Sequence, residues 1–384
     1  MVMAERPGVK TAPAPLTAVA MAGLAGRLGA ALATIPLKRP FDGPEQPLEN
    51  LGQNVTREVM KAFFGFTTSL DTPSLRSVEQ VIDDISRAVL PPFVHRMNVA
   101  TGTDELGGVP GMWYRPADRE PVGVILYLHG GGYIATSPGM YAAFTGYLSH
   151  ITGCRVFVAD YRLAPEFPFP AGLEDVIAVY EAVLDTGVPP DRVLLAGDSG
   201  GGGLVNSLLL AGHAEHLPRP AGVMLFSPEV ELVLDEPSVT ENAESDILPA
   251  QIPTTPYLHG LDAHNPFISP VARDLRSFPP ALVAFGDEEM FRDPIRRFCA
   301  DLRRDDVPVV ELEEPDMFHV YPILMPWASA SQRLYAEIRR FSAELLKPRW
   351  REEAGSAAIV AYRGAPRQDA GDRGSTVGAT DDTP

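Results

Sequence analysis

Cysteine is the scarcest chemical resource in this 384-residue chain, which holds only Cys154 and Cys299. They stand far apart and match no metal-ligand spacing, which excludes a disulfide scaffold and a thiolate metal centre. Positive charge is also short: 32 Lys and Arg against 50 Asp and Glu leave a net charge of −18. Such an acidic chain lacks the electrostatic footprint of a nucleic-acid binder and is repelled by anionic lipid surfaces. A long uncharged apolar run is missing too. The nearest approach, residues 17–37, is dominated by small residues and carries Arg27 mid-run, so no stable membrane insertion is expected. Residues 12–26 resemble the apolar core of a secretory signal. An amphipathic helix lying over the body of the protein is the simpler reading, and a cytoplasmic location is expected ahead of secretion. What the chain does have is 45% hydrophobic residues and 34 glycines, enough for a substantial core.

From residue 97 to 346 the pattern alternates between short apolar runs and amphipathic segments. Strands are predicted from Gly108 and at 122–130, 154–161, 191–199, 221–228, 280–288 and 308–315. Several are continuously apolar, as suits strands covered on both faces. Helices are predicted after the second, third and fourth of these, over 291–306 between the last two, and over 334–350 after the last. The predicted fold class is α/β: a mostly parallel central sheet with helices on both faces. The span 229–268 breaks the rhythm and is too long for an ordinary connection. Together with residues 1–75 it is expected to form a helical cap over the carboxyl ends of the strands, where open α/β sheets bind ligands. The catalytic body is then 76–350, and the polar, Gly-rich residues 351–384 are expected to be a disordered tail.

Glycine placement carries the chemistry. Gly197, Ser199 and Gly201 form G-x-S-x-G between an apolar strand and an apolar helix. Small residues on either side of the serine permit a sharp, strained strand-to-helix turn that lifts its hydroxyl clear of the sheet. A phosphate-binding turn is the bland alternative, and it lacks the Lys-Ser/Thr of a P-loop. A second run, Gly130, Gly131 and Gly132 after His129, also ends a strand. Its N–H groups, with that of Gly200, can face a developing oxyanion. His129 is read as positioning this loop through hydrogen bonds rather than as a base.

A serine hydrolase needs a base and an orienting acid later in the chain. His213 and His216 lie toward the far end of the helix after Ser199, while His259 and His264 fall in the cap segment with a reach toward the pocket. His319 follows the last strand at its carboxyl end, where the base must stand. The acid is one of Asp287, Glu288, Glu289 and Asp293, just past the preceding strand. The residue pattern alone does not rank them.

Taken together, His129–Tyr133 (HGGGY), residues 160–171 (DYRLAPEFPFPA), residues 197–202 (GDSGGG), the Ser-Pro pairs at 227 and 269, and the final Phe318-His319 carry a specific resemblance. The chain resembles the hormone-sensitive-lipase-like α/β-hydrolases, or bacterial family IV esterases, over roughly residues 95–345. The resemblance implies Ser199 as nucleophile, His319 as base, and Gly131, Gly132 and Gly200 as oxyanion donors. His129, Gly130 and Asp198 support the loop. The family usually has Ala where this chain has Gly200, and the N–H is retained. The family's acid is usually the first Asp of D-P-L-x-D, and the matching register begins at Glu289, with Asp287 in reserve. Arg162 and Glu166 are read as structural.

The implied activity is hydrolysis of short- to medium-chain carboxylic esters through an acyl-enzyme, with a small-molecule ester as partner and with no cofactor or metal. A lactone hydrolase, an amidase or an acyltransferase would use the same groups. Plant gibberellin receptors resemble the family but have lost the histidine, so Ser199 with His319 argues against a non-catalytic binder. Phe63, Phe64, Phe66 and Leu70 are candidates either to line the substrate pocket or to form the cap's own core. A homodimer is compatible with the resemblance, and no feature of the sequence selects it.

Overall fold

The structure, a computed structural model, describes residues 9–35, 46–249, 251–269 and 274–347. The tail expected over 351–384 lies outside the described residues.

Eight strands form one sheet: β1 (Val99–Leu106), β2 (Val109–Pro116), β3 (Val124–Leu128), β4 (Arg155–Ala159), β5 (Val193–Asp198), β6 (Gly222–Phe226), β7 (Ala281–Gly286) and β8 (Val309–Glu314). Their order is β1-β2-β4-β3-β5-β6-β7-β8. β1, β2 and β4 pair antiparallel in turn, and every pairing from β4 through β3 to β8 is parallel. Seven of these strands coincide with the runs predicted from sequence. β1 was not among them, because it lies at the sheet edge with six successive exposed residues. An edge strand that is wet along its length has no apolar alternation to betray it.

The helices are α1 (Ala14–Thr34), α2 (Pro47–Thr67), α3 (Thr72–Val89), α4 (Pro91–Arg96), α5 (Ala142–Thr152), α6 (Ala171–Asp185), α7 (Ser199–Ala214), α8 (Pro237–Glu241), α9 (Thr255–Leu258), α10 (Arg292–Arg304), α11 (Tyr321–Leu324) and α12 (Ser329–Leu345). Alternate residues of the central strands feed two separate cores. Leu126, Leu195, Val223 and Val283 pack with Val176 of α6, Leu204 of α7 and Phe298 of α10. Ile125, Leu194, Met224 and Leu282 pack with Leu148 of α5 and Ile338 of α12 on the opposite face. β3, β5, β6 and β7 are buried at every position, which is why they read as unbroken apolar runs.

Ahead of the sheet, α1 packs on α2 and α3 through Ala20 and Leu24, which cluster with Val78. By length and composition α1 could cross a membrane, and its Leu16, Val19 and Leu32 are exposed. The break expected near residue 75 falls inside α3, which continues to Val89. Between β6 and β7, the described residues of the long excursion carry two short helices, α8 and α9.

Candidate active site

β5 ends at Asp198 and α7 begins at Ser199, with no residue between them. This turn holds Ser199 at φ 50°, an unfavourable value for a side chain with a Cβ, so the surroundings must enforce it. They do so by close approach. A Cβ on Gly201 would stand 2.1 Å from the Leu128 carbonyl oxygen, and one on Gly197 would stand 2.7 Å from the Gly201 backbone. The glycines let α7 start hard against β3 and β5.

His319 sits in the loop after β8, 2% exposed. Its Nε2 lies 2.9 Å from Ser199 Oγ, and its Nδ1 lies 3.2 Å from Glu289 Oε2. Glu289, fully buried just past β7, accepts two further hydrogen bonds at Oε1, from the Gly286 N–H and the Ser227 hydroxyl, each 2.6 Å. Burial opposes the charged form of His319, but the Glu289 hydrogen bond and the nearby carboxylates outweigh it and raise the imidazole above its ordinary pKa. Burial also raises the Glu289 carboxyl, against the hydrogen bonds from His319 and Ser227. A hydroxyl, an imidazole and a carboxylate joined in this order form a relay through which the hydroxyl proton can pass to the ring.

The glycine run after β3 faces the same space. Gly131 and Gly132 line a cavity together with Ser199 and His319. Gly131 adopts φ 112°, a conformation other residues rarely take. Gly200 abuts Gly132 so closely that a Cβ would stand 3.3 Å from the Gly132 nitrogen. The three glycines expected to serve an oxyanion are therefore neighbours.

The wider comparisons bear on this geometry. A family model described as the alpha/beta hydrolase fold matches residues 125–323. An acetyl-hydrolase of Streptomyces hygroscopicus is 36% identical over 250 residues, covering 63% of this chain and 83% of that protein. An esterase of Acinetobacter venetianus is 28% identical, over 73% of this chain and 96% of its own. Among solved structures, EstE7, a hormone-sensitive-lipase homologue from a metagenome library, is 32% identical with a TM-score of 0.63, covering 71% of this chain and 98% of that one. EstE5, soaked with p-nitrophenyl butyrate, is 29% identical with a TM-score of 0.62, covering 69% and 97%.

The chain belongs to the α/β-hydrolase family, on its hormone-sensitive-lipase-like branch. It is a carboxylic ester hydrolase.

The residues that support the esterase centre are partly those expected. Asp198 accepts from the Gly130 N–H at 3.0 Å, the Tyr127 hydroxyl at 2.7 Å and the Tyr141 hydroxyl at 2.9 Å, which fastens the glycine loop to the serine turn. Burial pushes the Asp198 carboxyl up to about 6 while these donors pull it down. His129 is buried and stacked on Tyr161 at 4.4 Å, and its Nδ1 lies 2.8 Å from Thr136 Oγ1, away from a base's position. Thr136 in turn donates to the Gly130 carbonyl at 2.6 Å. α3 braces this loop from outside. Its Arg76 bridges Glu166 and the carbonyls of Ile134 and Ala164, and its Glu79 accepts from the Thr136 N–H. Arg162 pairs with Glu174 and Asp175 away from the centre.

Other expectations divide. Asp287 accepts from the Asp316 N–H at 2.7 Å and Glu288 pairs with Arg57, so neither faces His319. Asp293 caps the start of α8 by accepting from the Ser238 N–H. The anticipated reach of His259 and His264 into the pocket is corrected: neither lines it, and His264 is exposed and paired with Asp262. Phe63 and Phe64 do line the cavity, whereas Phe66 and Leu70 pack within the α1–α3 cluster.

Sequence reasoning missed three members of the centre. Ser227 accepts from the Val320 N–H at 2.9 Å while donating to Glu289, and so ties the loop carrying His319 to Glu289. Asp246, fully buried, accepts from the His319 N–H at 3.0 Å, the Met290 N–H at 2.8 Å and the Ile247 N–H at 2.7 Å. Glu229 lines the cavity beside Ser199 and His319. The first could have been suspected from its Ser-Pro pair. Asp246 and Glu229 stand in the excursion after β6, where no periodic pattern marks a residue's partner.

Proposed function

We propose that Ser199 attacks the ester carbonyl while His319 takes its proton, and that Glu289 holds the imidazole in the tautomer whose Nε2 is free to accept. The tetrahedral oxyanion is met by the N–H groups of the neighbouring Gly131, Gly132 and Gly200 as its charge develops. The alcohol leaves with the proton from His319. Water, activated by the same imidazole, then releases the acid from Ser199. The observation that carries this reading is the unbroken Ser199–His319–Glu289 hydrogen-bond chain at 2.9 and 3.2 Å.

The substrates we propose are uncharged esters with short to medium acyl chains. The cavity walls are apolar, with Phe63, Phe64, Val78, Leu248, Ile252 and Phe291 among them, and the chain's net charge of −18 disfavours polyanions. The butyrate ester soaked into the related EstE5 supports the same range. We assign the cap role to α2 and α3 with the excursion after β6, because both supply cavity walls.

A panel of p-nitrophenyl esters from acetate to dodecanoate, run on the wild type and on Ser199→Ala, tests the reading. Turnover concentrated at or below octanoate and abolished in Ser199→Ala is expected. Turnover that survives Ser199→Ala would remove Ser199 from the mechanism.

A further inference from the structure

Glu79, Asp198 and Glu229 line the cavity outside the triad, and the first two are engaged by the glycine loop and its braces. Glu229 follows Ser227 and Pro228 at the end of β6, and its N–H donates to the Ser199 carbonyl at 2.9 Å, so it is fixed to the serine turn itself. The residue is 2% exposed. Among the described residues, its carboxyl has no hydrogen-bond or ion-pair partner. Buried polar groups are normally satisfied, and one left open toward a ligand cavity is a group waiting for a ligand to complete it. Glu289 offers the contrast, since its equally buried carboxyl accepts three hydrogen bonds.

We propose that Glu229 is a specificity-determining residue that recognises an uncharged hydroxyl on the ester substrate, a few bonds from the scissile carbonyl. The inference rests on the esterase reading of the same site and adds to it the class of substrate: hydroxylated carboxylic esters.

The chemistry of the pocket selects the uncharged partner. Burial raises the Glu229 carboxyl from its ordinary value to about 8, against the attraction of His319, which favours the neutral form of the group. A protonated carboxyl offers one O–H donor and retains acceptor capacity. A hydroxyl, which both donates and accepts, matches that pair of functions. A bound ammonium group would instead require the ionised carboxylate. The other groups that act on Glu229 are His319, which favours its charge, and the buried Tyr133 and Tyr257, whose rings stack at 3.9 Å and which are themselves uncharged at neutral pH. None supplies a counter-charge of fixed sign.

The test compares kcat/KM for ethyl butyrate, ethyl 3-hydroxybutyrate, 2-hydroxyethyl butyrate and ethyl 3-aminobutyrate in the full-length wild type, Glu229→Leu and Glu229→Gln. The wild type is expected to prefer one of the two hydroxylated esters over ethyl butyrate. Glu229→Leu should lose about tenfold on that ester while gaining on ethyl butyrate, because an apolar side chain removes the desolvation cost of an empty carboxyl. Glu229→Gln, which keeps a donor and an acceptor, should retain part of the preference, and its behaviour decides the matter should Glu229→Leu fail to fold. The proposal is overturned by no preference for either hydroxylated ester in the wild type, or by preference for the amino ester. An equal loss on all four esters in both variants also overturns it, since that marks a merely structural role. Ethyl butyrate turnover in the wild type separates this failure from failure of the esterase reading.

Discussion

Replacing Glu289 with Gln removes one charge and almost no volume, and the structure fixes what must follow. Three donors converge on this carboxylate: the Gly286 N–H and the Ser227 hydroxyl on Oε1, and His319 Nδ1 on Oε2. A carboxylate can accept all three, whereas an amide carries an NH2 on one side. If the oxygen keeps the Gly286 and Ser227 bonds, the NH2 faces His319. The ring must then accept at Nδ1 and carry its proton on Nε2, where it can no longer receive one from Ser199. If the amide turns the other way, two buried donors lose their acceptor. The first arrangement is cheaper, so the base is held in the wrong tautomer. A loss of about 10³–10⁴ in kcat is expected, or about 4–5.5 kcal/mol of transition-state stabilisation.

The pH profile provides an independent reading of the same change. Activity requires neutral His319, whose pKa is raised by Glu289 against the effect of burial. In the wild type the acid limb of kcat/KM should therefore lie above about 6.5, the ordinary histidine value, with activity lost as pH falls through it. In Glu289→Gln the raising charge is gone while burial remains, so the limb should move to lower pH. Steady-state kinetics from pH 5 to 9, with circular dichroism to confirm the fold, measures both effects. A folded Glu289→Gln protein within tenfold of wild-type kcat, or a larger loss in Asp287→Asn, would refute the assignment of the acid.

Asp246→Ala should leave the N–H groups of His319, Met290 and Ile247 without their acceptor. Urea denaturation is expected to report a loss on the order of 3–5 kcal/mol, with kcat reduced as the base loop loosens. A change below about 1 kcal/mol would show that water replaces the carboxylate at no cost. Adjacent glycines after Ser199 should respond very differently. An alanine Cβ at Gly200 meets Tyr133 and Gly132 backbone atoms at 3.2–3.3 Å, which a few tenths of an ångström relieve, so Gly200→Ala should stay within about threefold of wild-type kcat/KM. At Gly201 it would stand 2.1 Å from the Leu128 carbonyl, forcing α7 off β3, and a loss of about 3 kcal/mol or an insoluble protein is expected. Similar behaviour of the two variants in thermal melts would contradict the packing described at the serine turn.

Much of the centre was legible in the linear sequence because its parts obey local rules. A serine between glycines at a strand end, a glycine run at the neighbouring strand end, and a histidine after the last strand each announce themselves within a dozen residues. The buried strands did so too, because a strand covered on both faces must be apolar throughout. β1 escaped, since a solvated edge imposes no such requirement.

Ranking the acid was different in kind. Asp287, Glu288 and Glu289 are adjacent and chemically alike, and the family register favoured Glu289 without a physical reason. Tertiary structure supplied one: the turn after β7 aims Glu289 inward at His319 and Ser227, sends Asp287 to the Asp316 N–H, and leaves Glu288 to Arg57 of α2. The same holds for Asp246 and Glu229, which lie in a segment without periodicity. Asp246 meets its partner His319 across a separation of 73 residues. The sequence by itself determined that this chain builds an α/β sheet with a serine nucleophile turn, because those features depend on residue type and near neighbours. Only the tertiary structure decided which carboxylate meets the His319 ring, which one accepts from its backbone N–H, and which one stands in the cavity wall without a partner among the described residues, because the fate of a carboxyl depends on the donors that long-range folding brings to it.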